Sequence, residues 1–282
     1  MKPLSRNKRR IYLAIACIVF IFIVPVLILY ATGYRFQELF TLTEVGGLYI
    51  TAPSSNTDIF INDELIKRTG VFQKNVFIQD LKPGSYDIKV VKQNSQSWSK
   101  KLNVFPKTVT EAHSFILPLD IALTEIPYFA FTERSTSASR KNKENSDYKK
   151  IAVLFDTPTD RVPESTENLK TKRDINVENI EGVLHVTWSG DEDSIPYFFC
   201  ESEVCKKEII IKISKIEAFD FFPERNDLLI VKVSDGIYVV EIDERSSQNV
   251  QTLTLGTNLD FRVKNNENIY IKKDGKIYSI SL

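Results

Sequence analysis

Residues 218–242, AFDFFPERNDLLIVKVSDGIYVVEI, recur in outline as residues 258–282, NLDFRVKNNENIYIKKDGKIYSISL. Phe219-Asp220-Phe221 matches Leu259-Asp260-Phe261 and Ile237-Tyr238 matches Ile277-Tyr278, both at an offset of 40, while Asp235-Gly236 matches Asp274-Gly275 at 39. Each Asp-Gly sits between alternating apolar runs, a strong signal for a tight β-hairpin. Four short strands in about 40 residues is the length of one propeller blade. The preceding stretch reads as another such unit, with strands INVENI (175–180), VLHVTW (183–188), PYFFC (196–200) and EIIIKI (208–213). Residues 175–282 are therefore expected to form a propeller-like repeat domain, with units at about 175–213, 216–255 and 258–282. The last is one strand short. KIAVLF (150–155) is the expected donor, and IALTEIPYFAFT (121–132) is a candidate start of a fourth unit. Propellers usually carry about 4–8 blades, so a partial or degenerate propeller and a curved stack of sheets are both compatible with the pattern.

Upstream, residues 119–174 read as a linker region with one strand at 150–155. ERSTSASRKNKENSDYKK (133–150) and DTPTDRVPESTENLKTKRD (156–174) are polar and charged, with almost nothing to bury, as mobile tethers are.

Cys200 and Cys205, in YFFCESEVCKKEIII, are the only cysteines after residue 30. Two apolar runs flank a short acidic loop, so the pair is expected to face across a hairpin neck as a disulfide. Zinc would need two further ligands, and only His113 and His185 are available. Both histidines sit on alternating strand patterns and read as packing or cross-strand residues. Gly190-Asp191-Glu192-Asp193 lacks the alternating acidic spacing of calcium loops and reads as a solvated turn. No catalytic, cofactor-binding or metal-ligating set is assigned.

Residues 45–118 carry another series of brief strands: GLYITA (47–52), DIFIND (58–63), VFIQDL (76–81), YDIKVVK (86–92), WSKKLNVF (98–105) and AHSFIL (112–117). In LKPGSY (81–86), Pro83 and Gly84 suit the second and third positions of a type II turn. IFIND, LKPGSYDIKV and the closing Phe115-Ile116-Leu117 make this segment resemble the PEGA domain, a small β-sandwich of extracytoplasmic bacterial proteins. It departs from that pattern at Ser54-Ser55-Asn56-Thr57 and at Asp63-Glu64. The resemblance implies a binding or structural module at the cell surface, with no catalytic residues to carry over.

IYLAIACIVFIFIVPVLILY (11–30) is unbroken apolar sequence of the ~20 residues that span a bilayer. Lys2, Arg6, Lys8, Arg9 and Arg10 precede it, with no acid before Glu38. The positive-inside rule places residues 1–10 in the cytoplasm and the body outside, after a juxtamembrane segment at 31–44. A cleaved signal peptide is the rival, but its apolar core is shorter and ends at a small-residue site. Ala14-Ile15-Ala16-Cys17 faintly resembles a lipoprotein box, yet apolar sequence continues beyond Cys17, which reads as a membrane-buried thiol. Pro25 is tolerable inside such a span.

The chain carries 37 basic and 37 acidic residues; beyond residue 30 the balance is 32 to 37. That offers no basic face for nucleic acid. The expected fold is mainly β: a transmembrane helix, a small PEGA-like sandwich and the repeat domain. The expected function is a non-catalytic envelope protein, anchored by a single pass, that presents two β modules to glycan or a protein partner. Trp98, Tyr128, Tyr197 and Tyr238 are candidates for stacking on sugars. The alternative is a glycan-directed hydrolase with a carboxylate pair, although no Gly-x-Ser-x-Gly, His-Glu-x-x-His or phosphate loop occurs.

Overall fold

A computed structural model describes residues 5–36, 41–130, 143–156, 168–213 and 215–281. The chain is mainly β with one N-terminal apolar helix, α1 (Arg6–Ala31), none of whose residues is buried against the rest. It is long and apolar enough to cross a membrane, and it begins within the basic tail. Thr32 N–H donates to the Ile28 carbonyl at 2.9 Å, and Gly33, at φ +81°, turns the chain out of the helix.

The juxtamembrane segment forms a hairpin, β1 (Tyr34–Phe36) with β2 (Leu42–Glu44). Lys107 holds it to the following unit, with its ammonium 2.8 Å from Glu44 and 2.7 Å from the Tyr34 hydroxyl. Arg35 lies over the Tyr30 ring at 3.5 Å and pairs with Asp80 at 2.7 Å, its Nε–H misaligned for a hydrogen bond.

Seven strands then make two facing sheets: β3 (Gly46–Thr51), β4 (Asp58–Ile61), β5 (Glu64–Arg68), β6 (Asn75–Leu81), β7 (Gly84–Val91), β8 (Trp98–Val104) and β9 (Val109–His113). Their orders are β6-β3-β9 and β5-β4-β7-β8, and only β3 and β9 pair in parallel. Strand alternation sets the core: in β8, Trp98, Lys100, Leu102 and Val104 are buried while Ser99, Lys101 and Asn103 are exposed. Asn62 and Asp63, at φ +50° and +64°, close the expected turn in its I′ form.

Two details of this unit differ from expectation. Gly84 stands at φ +157° as the first residue of β7, paired with Val104, and not near the +80° of a type II turn. The closing strand ends at His113 instead of running to Leu117. From Phe115 on, the backbone hydrogen-bonds to a glutamine of the C-terminal region (Gln251), which draws it off the ladder.

Beyond it lie β10 (Leu123–Glu125), a short pair of β11 (Phe129–Ala130) with β12 (Lys143–Glu144), and helix α2 (Ser146–Asp156). The helix replaces the strand expected at 150–155. Asn145 Oδ1 accepts the Asp147 N–H at 3.0 Å as an N-cap, and Tyr148, Ile151, Ala152 and Phe155 share one face. Five consecutive apolar residues alone do not distinguish the two periods. Of the tethers expected at 133–150 and 156–174, residues 133–142 and 157–167 lie outside the described residues, whereas β12, the first turns of α2 and the strand Leu169–Lys172 are regular structure where tether was expected.

Three four-stranded antiparallel sheets follow. The first orders β13 (Leu169–Lys172), β14 (Ile175–Ile180), β15 (Val183–Trp188) and β18 (Glu208–Ile210). Its first strand lies in sequence expected to be linker. PYFFC is not one of its strands: Pro196 lacks an N–H, and Tyr197–Phe199 form a 3₁₀ turn that buries Phe198 and Phe199 together. The turn runs into a hairpin of β16 (Cys200–Glu201) and β17 (Val204–Cys205). The second sheet orders β19 (Ala218–Phe221), β20 (Leu228–Val233), β21 (Gly236–Glu241) and β22 (Val250–Leu255). The third joins β23 (Leu259–Lys264), β24 (Asn268–Lys273) and β25 (Lys276–Ile280) to β10, so the missing strand comes from 121–132 and not from KIAVLF.

The two Asp-Gly pairs behave differently. Asp274 and Gly275, at φ +51° and +78°, form the I′ loop between Lys273 and Lys276. Asp235 instead shares its loop with Ser234, and Gly236 begins the strand, where a Cβ would come within 2.9 Å of the Thr254 carbonyl. The structural offset is therefore 40 across this second hairpin, where Val233 pairs with Gly236 as Lys273 pairs with Lys276.

Leu228–Val231 are buried without interruption because the second sheet is covered on both faces. Leu228, Ile230, Ile237 and Val239 join a core shared with the two-sheet unit and the third sheet. Leu229, Val231, Val240 and Ile242 join the core of the first sheet. Lys172 ties the sheets together: its ammonium donates to the carbonyls of Phe222 (3.0 Å) and Arg225 (2.5 Å) and to Asn266 Oδ1 (2.6 Å). Burial, with Arg173 nearby, lowers its pKa.

Candidate functional site

The densest polar chemistry lies at the junction of the two-sheet unit and the second repeat sheet. β8 supplies Trp98 and Lys100 from its inward parity, and the end of β21 and the segment after it supply Glu241, Asp243 and Arg245. Lys100 lies 2.6 Å from Glu241 Oε1 and 3.3 Å from Asp243 Oδ2, and donates to the Asp243 carbonyl at 2.6 Å. Its side chain is 0 % exposed, those of its partners 4 % and 5 %. Trp98 Nε1–H donates to Glu241 Oε2 at 2.8 Å. Arg245 binds Asp243 through Nε and Nη2 at 3.0 and 2.8 Å and donates to the Glu111 carbonyl at 2.7 Å.

Electrostatics divides the two acids. Burial raises the Glu241 carboxyl above its ordinary value, with Lys100 opposing. Burial also acts on Asp243, but hydrogen bonds from Arg245 and the charge of Lys100 prevail and lower it. Buried charges are tolerated only when paired in this way.

Side-chain amides stitch the same junction. Gln96 accepts the Thr252 N–H (2.9 Å) and donates to the Thr252 carbonyl (2.8 Å). Asn249 does the same at Ser99, at 3.1 and 2.9 Å. Gln251 accepts the Leu117 N–H at 2.7 Å and donates to the Phe115 carbonyl at 3.0 Å. Each amide offers one donor and one acceptor to backbone, occupying the β8 edge at Ser99, the β22 edge at Thr252 and the segment after β9 at Phe115 and Leu117.

A cleft of about 530 Å³ opens beside this network, between Lys101 and Asn103 of β8, Val109 and Glu111 of β9, and the β16–β17 hairpin. Tyr197 and Arg245 line it. The Tyr197 ring packs between His113 (4.7 Å) and the Arg245 guanidinium (5.1 Å), and its hydroxyl reaches Asp227 at 3.4 Å. Burial, then the charge of Asp227, pushes its pKa well up. Asp227 is held by Arg225 through two contacts of 2.6 Å. The expected disulfide is present: Cys200 and Cys205 face each other across β16 and β17 with Cα atoms 4.0 Å apart, at the cleft rim. Asn103 fastens this hairpin through Glu201 at 2.7 Å. Cys17 lies far away in sequence, exposed on α1.

Each histidine has a carboxylate partner that its sequence context did not reveal: His113 with Glu111 and His185 with Glu208, both at 2.7 Å. Among the described residues no group of three or more His, Cys, Asp or Glu is placed to hold a metal ion. Of the candidate aromatics, Trp98 is buried in the junction, Tyr128 packs edge-on against Tyr148 and Tyr238 packs half-buried against the core of the first sheet, which leaves Tyr197 as the one that lines the cleft. Pro83, Gly84, Asp274 and Gly275 are turn or strand-start residues that do not line the cleft, although Gly84 precedes Ser85, which does. Apart from Trp98, expected as a stacking aromatic, the junction residues were missed in the sequence, yet one signal was there. Lys100 occupies an apolar-parity position between Trp98 and Leu102.

No protein-family model matches the chain, and no curated protein is similar to it.

Proposed function

We propose that the chain is a single-pass, non-catalytic membrane protein of the bacterial envelope, with residues 1–10 cytoplasmic and the body extracytoplasmic. The observation that carries the reading is the position of the two-sheet unit. α1 and its hairpin join the end of the unit where β3 begins, at Val45 and Lys107, and the repeat sheets join at Trp98, Lys100 and Phe115–Leu117. A PEGA-like sandwich thus serves as a stem between the anchor and a partial propeller of three blades. The buried acids favour this role over the hydrolase alternative. Glu241, Asp243 and Asp227 are held by Lys100, Arg245 and Arg225 instead of facing each other across a cleft. Partners are envelope glycan or an envelope protein.

In-cell crosslinking of the intact protein, with identification of what it captures, tests the reading. Envelope glycan or envelope protein is the expected catch. Only cytoplasmic partners, or labelling of the body by a reagent confined to the cytoplasm, would reverse the orientation and the function together.

A further inference from the structure

The cleft is bordered by two strand edges whose backbone has been left open. Asp87 faces Lys101 across the β7–β8 ladder, but it spends its C=O and N–H on Asn62, at 2.8 and 3.0 Å. The Lys101 N–H and C=O therefore point away from β7. Ser99 has the same parity, and Asn249 occupies both its groups. The Asn103 carbonyl, also outward, accepts from Thr110 Oγ1 at 2.7 Å. Among the described residues nothing pairs with the backbone of Lys101 or with the Asn103 N–H. On β9 the Thr108 carbonyl accepts from Gly47, so Val109 and Glu111 face outward, and only the Glu111 carbonyl is taken, by Arg245. The side-chain seal along β8 stops where the cleft begins.

We propose that this cleft binds an extended peptide, added as a strand along Lys101 and Asn103, with a basic side chain meeting Glu201 and Glu203. The inference rests on the binding-protein reading above and names the chemistry of the partner. In such addition the main chain supplies affinity and flanking side chains supply selectivity. A volume of about 530 Å³ lies within the range of ligand sites. The charge favours a cation: Asp243 matches Arg245 from behind, Asp87 lies 3.5 Å from the Lys101 ammonium and His113 meets Glu111, leaving the carboxylates of Glu201 and Glu203 along the cleft. The wall carrying Glu201 and Glu203 is fixed by the Cys200–Cys205 bond and by Asn103, so it is preorganised.

The test titrates the full-length chain in nanodiscs with a fluorescent alternating Lys-Val peptide. Its controls are a Glu-Val counterpart, Lys-Val peptides N-methylated at every second amide in either frame, and an N-acetylglucosamine oligosaccharide. Lys-Val should bind, Glu-Val should not, and one N-methylated frame should lose at least tenfold in affinity. Lys101→Pro removes an outward N–H without touching the β7 ladder and should reduce binding at least tenfold. Glu203→Lys, on an exposed site, should reduce it at least threefold even if the proline variant misfolds. Absent peptide binding, or binding indifferent to both N-methylation frames and to Glu203→Lys, overturns the proposal. Binding of the oligosaccharide alone also overturns it but leaves the binding-protein reading standing. Cleavage of either probe sinks both.

Discussion

Trp98 and Glu241, 143 positions apart in the chain, share one buried hydrogen bond of 2.8 Å that closes the junction between stem and repeat sheets. The second oxygen of Glu241 lies 2.6 Å from the Lys100 ammonium and also accepts from Asn249. The carboxylate is therefore fully subscribed, and its neighbours depend on its charge.

Removing one partner should strand the other. Lys100→Met or Glu241→Gln alone is expected to cost about 3–5 kcal/mol, the loss typical of breaking a buried pair. The double variant should cost clearly less than the sum. Denaturant titration of the two singles and the double reads the coupling, and additive losses would contradict it.

Gln251→Leu leaves the Leu117 N–H and the Phe115 carbonyl unpaired in a buried setting. A loss of about 1–3 kcal/mol is expected. Hydrogen exchange should speed up at the Leu117 amide while amides in the β6–β3 ladder stay protected.

Thiol counting separates the three cysteines. In the unreduced, denatured chain only Cys17 should react, because Cys200 and Cys205 are joined. Replacing both with Ser should cost about 2 kcal/mol, as the closed loop is short. Three reactive thiols in that assay would refute the bond.

The junction acids act in opposite directions on pH stability. Asp243 titrates below its ordinary 3.8 in the folded chain, so its contribution is present above 3.8 and is lost as pH falls through the folded value. Glu241 titrates above its ordinary 4.5. The folded chain then holds more protons than the unfolded one above 4.5, and stability declines as pH rises through the folded value. In Glu241→Gln the decline on the alkaline side of 4.5 should flatten while the acid-side loss from Asp243 persists. Melting temperature against pH measures both limbs.

Local pattern went far in this chain. The anchor, the strand alternation in β8, the Asn62-Asp63 turn and the opposed cysteines follow from short-range periodicity and turn chemistry. The helix α2 escaped because its five-residue apolar run fits either period, and its capping Asn145 stood in sequence that looked like tether. The completing strand β10 escaped for a different reason. Its partner, β25, is some 150 residues away, and nothing in Leu123–Glu125 encodes that distance. The junction was least legible, because Glu241, Gln251 and Asn249 look like ordinary surface residues until another unit covers them. Only Lys100, on the wrong parity for a charge, betrayed it.

The parallel pairing of β3 with β9 has a mechanical consequence. The chain enters β3 from the α1 side and leaves β9 toward the repeat sheets, with Gly47 to Thr51 in register against Val109 to His113. Tension between the membrane and a captured partner would pull these two strands lengthwise in opposite senses. All the bonds between them would share that load at once, as in shear, instead of parting one by one from an end. Under the proposed anchoring the two-sheet unit would transmit force in shear, and force-ramp spectroscopy on the tethered chain should find β3–β9 rupture as its highest peak.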